Sequence, residues 1–203
     1  MQHLIISAHP NKNSFSNALA EALAAESRNS HVTPTVRNLY DLNFNPILSL
    51  SDLSQIKEGL IPTDIAHEQK LLKESDLISI VYPLWWGSFP AILKGYFDRV
   101  LTNGFAFKIS PNGPEGLLKG KKVVLHTSMG NSVEEYEKKG ILDAFRQIHG
   151  NEVFGFCGIE IAGHYFYPRI SDSSPEMKKK YIEKALENYK PIFPRQQQIP
   201  IQM

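Results

Sequence analysis

The segment Ser7-Ala8-His9-Pro10-Asn11-Lys12-Asn13-Ser14-Phe15-Ser16-Asn17 places hydroxyls, amides and an imidazole just ahead of a helical stripe. A helix N-terminus carries free N–H groups and the positive end of the dipole, so such a loop is an anion site by geometry. It is neither a Walker loop, lacking Gly-x4-Gly-Lys, nor a dinucleotide fingerprint, lacking glycine altogether. The plainer reading has Ser14 as a helix cap and His9 as a solvated loop residue. A second segment, Tyr82-Pro83-Leu84-Trp85-Trp86-Gly87-Ser88-Phe89-Pro90, holds both tryptophans of the chain side by side. Adjacent tryptophans cannot both face one side, so one packs on the body while the other presents its flat face. Gly87 allows a sharp turn, and Pro90 suits the start of a helix. The alternative is packing under a lid or at a dimer contact. The third segment, Thr127-Ser128-Met129-Gly130-Asn131-Ser132, offers small polar groups and backbone N–H donors to a flat heterocycle or a phosphate. By itself it also reads as an ordinary polar turn.

The elements around these segments place all three on one edge. Residues 3–8 form a short buried run, followed by a helical stripe of Phe15, Ala18, Leu19, Ala22 and Leu23. Residues 31–37 read as an edge strand, because Pro34 cannot donate to a ladder. Tyr40 to Pro62 reads as a loop. Thr63 or Asp64 caps a helix running to about Glu74. Residues 76–82 form a buried strand, then Ile92, Leu93, Tyr96, Phe97, Val100 and Leu101 follow helical spacing. Lys122–Thr127 is the next strand, and a helix spans about Glu134–Ile148. A fifth strand lies around Glu152–Cys157, with possible extension to Ile161, and a last helix covers roughly Pro175–Tyr189. This βα alternation predicts an α/β three-layer sandwich with a five-stranded parallel sheet of order 2-1-3-4-5. The domain spans 1–190, and 191–203 is a Pro- and Gln-rich tail. Ligands of such sheets bind outside the carboxyl ends of the strands, where the three segments lie. One suits a phosphate and two suit the edge and face of a planar ring. That combination fits flavin mononucleotide better than a nucleoside triphosphate, which would want a lysine and a magnesium ligand.

Composition narrows the class. Twenty-two basic against 21 acidic residues give a net charge of +1, with no footprint for nucleic acid and no polybasic membrane patch. No apolar run approaches the roughly 18 residues of a membrane helix. The start of the chain lacks the basic region of a signal peptide. Cys157 is the single cysteine, which excludes intrachain disulfides and a cysteine-built metal site. The expectation is a cytoplasmic protein. Cys157 reads as a buried hydrophobe on strand 5, and His126 as a satisfied core histidine. His3, His31, His67 and His164 show no ligand spacing, so no metal is expected. Lys178-Lys179-Lys180 reads as a solvated helix face. Gly104 to Pro114, with Phe105 and Phe107, forms either a wall over the substrate or a hairpin-like excursion with its own small core.

The run Pro83-Leu84-Trp85-Trp86-Gly87-Ser88-Phe89-Pro90-Ala91-Ile92-Leu93-Lys94-Gly95-Tyr96-Phe97-Asp98-Arg99-Val100 closely resembles a pattern of the flavodoxin-like NAD(P)H:quinone oxidoreductases, the DT-diaphorase-like family with bacterial FMN-dependent members. His9, Ser14, Phe15 and Ser16 are similar to its phosphate loop, and Leu39–Pro46, Gly104–Phe107 and Phe156-Cys157-Gly158 to other family segments. The resemblance implies a flavodoxin-like fold and a homodimer with two active sites at the interface. It implies flavin phosphate at His9 and Ser14–Ser16, and a ring edged by Pro83, Leu84, Trp85, Trp86 and Gly87 and by Thr127, Ser128, Met129 and Gly130. NAD(P)H and an acceptor such as a quinone would alternate on the exposed ring face. FMN is favoured over FAD because the chain lacks the C-terminal extension of the mammalian-type FAD enzymes.

Two departures stand out. Met129 occupies a position that is usually glycine. Tyr136 can match a family tyrosine near the ring, as the candidate catalytic residue, but no histidine follows it at the matching distance, and His149 lies too far along. The other functions weighed are an electron-carrier flavodoxin, against which the near-neutral charge argues, and a regulatory redox subunit of a potassium-efflux system, for which no docking element is evident.

Overall fold

Leu4, Ile5, Ile6, Ile78, Ile80 and Val81 are buried whichever face they point to, as strands of a covered parallel sheet must be. The computed structural model describes residues 1–193. Its elements are β1 (Gln2–Ser7), α1 (Phe15–Asn29), β2 (Thr33–Asn38), α2 (Leu50–Lys57), α3 (Thr63–Glu74), β3 (Leu77–Pro83) and α4 (Ala91–Val100). A hairpin of β4 (Phe107–Ser110) and β5 (Gly113–Gly116) follows. The chain continues through β6 (Lys122–Ser128), α5 (Val133–Lys138), α6 (Ile141–Phe145), a π-helix Arg146–Gly155, β7 (Glu160–Tyr167) and α7 (Pro175–Glu187). The main sheet is parallel, in the order β2-β1-β3-β6-β7, which is the expected 2-1-3-4-5 arrangement.

One face carries Leu4, Ile6, Ile80 and Leu125 against Ile65, Leu93 and Phe97 of α3 and α4. The other carries Ile5, Val81 and Val124 against Leu19 and Leu23 of α1 and Ala185 of α7. Ile192 and Phe193, at the start of the tail, pack on this second face. The rest of the tail, from 194, lies outside the described residues. The second face also buries a polar chain. His3 bonds Ser27 through Nδ1 and Ser79 through Nε2, each at 2.7 Å. Ser79 meets the Tyr189 hydroxyl. His126 bonds Tyr189 through Nε2 at 2.7 Å and Tyr167 through Nδ1 at 2.6 Å. His126 is the satisfied core histidine expected of it, and burial lowers both imidazoles to a pKa of about 3.

Four local expectations are corrected. The segment from Tyr40 to Pro62 contains α2, capped by a Ser49–Asp52 box. Its outward residues Leu50 and Leu53 are apolar, while its buried residue is Asp52, so the usual stripe is inverted. Asp52 faces Arg99 at 3.2 Å, and its pKa is lowered by the Ser49 N–H bond and by Arg99. Second, neither Thr63 nor Asp64 caps α3. Pro62 holds that position without a side-chain bond, and Asp64 binds Arg99 at 2.6 Å. Third, the helix expected over Glu134–Ile148 breaks at Gly140, whose φ is +65°, and winds on as a π-helix. Fourth, the fifth strand is β7, not Glu152–Cys157. The π-helix consumes that segment, and Cys157 sits in the turn after it, buried, with its thiol pushed up to about 11. Gly104 to Pro114 enters the β4–β5 hairpin, with Phe107 against Phe156 at 5.1 Å between ring centroids.

Candidate active site

The carboxyl ends of β1, β3 and β6 lie side by side, with Ser7 paired to Val81 and Pro83 to Ser128. Backbone bonds tie the loops that leave them: Ala8 N–H donates to Val81, and Leu84 N–H to Ser128. The His9 and Trp85 rings are 5.7 Å apart, joining the first loop to the second.

In the first loop Ser14 caps α1 and accepts from the Asn17 N–H at 3.2 Å. The N–H groups of Phe15 and Ser16 are left in the first turn without an intrahelical acceptor. His9 Nδ1 accepts from the Asn11 N–H, and its pKa is lowered by burial against the opposing effect of that bond. The Phe15 side chain points into the core, 5.1 Å from Tyr167, so only its backbone faces the loop. Asn17 was not singled out from sequence. Its amide donates to the carbonyls of His9 and Asn11 and staples the loop. Its Oδ1 is a buried polar atom without a partner among the described residues, as is Ser7 Oγ. An asparagine in the first turn, where the stripe expects nothing polar inside, was the available signal.

The second loop is a tight reversal in which Trp85 and Ser88 exchange both backbone bonds. Trp86 and Gly87 between them have φ of +51° and +68°. Positive φ at both central positions marks a tight hairpin turn, and a non-glycine residue held there is strained. Neither of their N–H groups has a backbone partner among the described residues. Trp86 is fully exposed and Trp85 is 39% exposed. Leu84 instead leans on a small cluster of Met129, Leu142 and Phe145.

In the third loop the Met129 side chain enters that cluster, and its N–H is taken by the Tyr167 carbonyl. The Met at the usual glycine position therefore turns away from the edge. Gly130 is exposed, and a Cβ there would meet nothing within 4 Å. Thr127 and Ser128 are both buried, and the Thr127 hydroxyl bonds His164. Tyr136 is half-buried against Phe145 at 5.9 Å. The loop residues thus divide. His9, Ser14, Trp85, Trp86, Gly87 and Gly130 sit at the edge, Ser16 is buried in the first turn of α1, and the side chains of Phe15, Leu84, Thr127 and Met129 support the edge from within.

Two histidines stand below this edge. His149, which spacing along the chain made too distant, is carried by the π-helix against Tyr82 and Phe89. Burial lowers it to about 4. His164 bonds Thr127, and burial, aided by His149 and Arg146, lowers it to about 3. Among the described residues no group of three or more His, Cys, Asp or Glu is placed to hold a metal.

A family model described as flavodoxin-like fold matches residues 1–192. An uncharacterised NAD(P)H oxidoreductase of Haemophilus influenzae is 41% identical over 186 residues, covering 91% of this chain and 92% of that protein. The chain belongs to the flavodoxin-like NAD(P)H:quinone oxidoreductase family. A mouse relative in this family, ribosyldihydronicotinamide dehydrogenase [quinone], is 32% identical over 212 residues, with 94% of this chain and 91% of that protein covered. The structure of an NAD(P)H:quinone oxidoreductase from Methanothermobacter marburgensis superposes with a TM-score of 0.80 at 28% identity, over 92% of this chain and 96% of that one. Membership makes the protein an oxidoreductase of the family. The edge described above fits a flavin by its own chemistry. The α1 terminus, with the Ser14 hydroxyl and the free N–H groups of its first turn, suits a phosphate, and the two turns hold N–H groups without a backbone partner among the described residues beside an exposed indole.

Proposed function

We propose that the protein binds FMN at the carboxyl edge of the sheet and passes hydride from NAD(P)H to quinones or similar electrophilic acceptors. The convergence of an anion-ready helix terminus with two donor-bearing turns carries this reading. His9 and Ser14, with the α1 N–H groups of Phe15 and Ser16, would hold the phosphate. Bound flavin supplies the hydride chemistry. The chain's own work is positioning and electrostatics. The N–H groups of Trp86, Gly87 and Gly130, without a backbone partner among the described residues, would serve as donors where negative charge develops and need no titrating side chain. The exposed Trp86 and Trp85 faces suit stacking of the nicotinamide and the acceptor. FMN is the cofactor proposed, with FAD as the larger alternative. A net charge of +1 counts against an electron carrier that docks through an acidic surface. No helix among the described residues is long and apolar enough to cross a membrane. A cytoplasmic location suits a chain whose single cysteine is unpaired.

Turnover tests this directly. The FMN-loaded chain should oxidise NADH or NADPH with a soluble quinone at about 10 per second, typical of enzymes. A flavin-loaded chain that oxidises neither nucleotide in the presence of quinone overturns the activity.

We further propose that it works as a homodimer. Trp86 is fully exposed, and Ile47, Leu50, Leu53 and Leu60 line an outward apolar face around α2. Surfaces of this kind favour a two-fold contact. Light scattering at micromolar concentration should give about twice the 22.9 kDa of one chain. Replacing Leu50 and Leu53 together by Glu should shift the species towards one chain. A single-chain mass for the wild type overturns the dimer.

A further inference from the structure

At the feet of the second and third loops, four uncharged polar side chains form a row that the proposed function leaves unused. Tyr82 near the end of β3 and Thr127 near the end of β6 are register partners. His149 Nδ1 bonds the Tyr82 hydroxyl at 3.0 Å, and His164 Nε2 bonds the Thr127 hydroxyl at 2.9 Å. Because Tyr82 and Thr127 are register partners, the two bonded pairs stand on neighbouring strands.

Two backbone irregularities build this row. Ile161 packs on the α3–α4 side of the sheet. Strict alternation would keep Gly163 and Tyr165 on that side and send His164 to the other. Instead β7 shifts register against β6 between Val123 and Val124, and Val124 pairs with Gly163. Beyond the shift Tyr165 and Tyr167 pack with the α1–α7 side, while His164 comes to Thr127. Re-aiming a side chain beside a site is a known use of a β-bulge. A Cβ at Gly163 would stand 2.7 Å from the Tyr165 ring, so a larger residue there would push that ring aside. The π-helix similarly delivers His149 to Tyr82, with Phe89 at 4.1 Å and Phe145 at 5.2 Å from its ring.

The row has a direction. His164 Nδ1 is buried without a partner among the described residues. A buried N–H without an acceptor is costlier than an idle lone pair, so the proton of neutral His164 belongs on Nε2. His164 then donates to Thr127. In the neighbouring pair the Tyr82 hydroxyl hydrogen is free for His149 Nδ1.

We propose that His164 is a positioning residue for the third loop. By donating to Thr127 it fixes the backbone path from Thr127 to Gly130, and with it the N–H groups offered to the ligand. The inference rests on reading this edge as the flavin site.

Fluorescence titration with FMN tests it in wild type, His164→Phe, His164→Gln, Thr127→Val and the His164→Phe/Thr127→Val pair. Phe keeps the ring stacked 4.2 Å from Phe166 but has no donor, whereas the Gln amide reaches the place of Nε2. His164→Phe and Thr127→Val should each weaken FMN binding about tenfold, and the pair no more than either alone. His164→Gln should return to within about threefold of wild type, as a donor in place restores the bond. Near-UV circular dichroism checks folding. If His164→Phe does not fold, Thr127→Val and His164→Gln decide, and wild-type affinity in Thr127→Val overturns the role. Unchanged affinity in a folded His164→Phe, or additive losses in the pair, overturns the positioning role and leaves the flavin reading standing. A wild-type chain that binds no FMN overturns both.

Discussion

Replacing Gly87 with Val should weaken flavin binding by roughly ten- to a hundredfold, the equivalent of the about 1–3 kcal/mol of strain carried by a side chain held in a sparsely populated backbone region. Gly87 has φ of +68°, and a Cβ there would meet nothing within 4 Å. The loss therefore comes from the backbone and not from a clash. A β-branched residue resists the left-handed region, and the reversal would relax away from the geometry that leaves the Trp86 and Gly87 N–H groups without a backbone partner. The contrasting variant is Tyr136→Phe. That ring packs on Phe145 and supports the third loop through its body. With backbone donors supplying the electrostatics, loss of its hydroxyl should slow turnover by about tenfold or less. Flavin titration and steady-state kinetics on both variants separate the effects. Tyr136→Phe with full flavin and a loss on the order of a thousandfold would make the tyrosine an essential proton donor.

The fold itself should be acid-labile. His3 and His126 are buried with pKa values of about 3. In an unfolded chain each returns to near 6.5. A folded pKa below the unfolded one means that stability is fully present above pH 6.5 and declines as pH falls from there towards 3. By pH 5 each group removes on the order of 2 kcal/mol, together on the order of 4. Against total stabilities of about 5–15 kcal/mol this is a large share. The urea midpoint should fall steeply between pH 7 and pH 5, before most carboxylates titrate. A midpoint constant down to pH 4.5 would show that the His3–Ser79–Tyr189–His126 chain tolerates protonation.

The order of the sheet was legible because each strand is a short apolar run ended by a turn residue, and because βα alternation leaves few topologies. The edge strand was legible from one residue, Pro34, which pairs with His3 at the border of the sheet. The fifth strand was not. Val153, Phe154 and Phe156 make an apolar run of strand length, and local pattern cannot show that a π-helix takes it. The helix α2 was hidden for the opposite reason: its stripe faces outward, and its inward residue is a carboxylate whose partner, Arg99, lies 47 positions away. Loop chemistry at the candidate site was readable from residue types. Its supports were not, since His149 reaches Tyr82 through an irregular helix and His164 reaches Thr127 through a bulge. Spacing rules assume regular backbone, and both histidines depend on its failure.

The central claim is that the carboxyl edge of this sheet holds a flavin. The absorbance spectrum of the purified protein, followed by titration with FMN and FAD and mass identification of what is released, tests it most directly. The account predicts a yellow protein, or a colourless one that takes up one FMN per chain tightly and becomes yellow. A protein that is colourless and binds neither flavin in titration would contradict it.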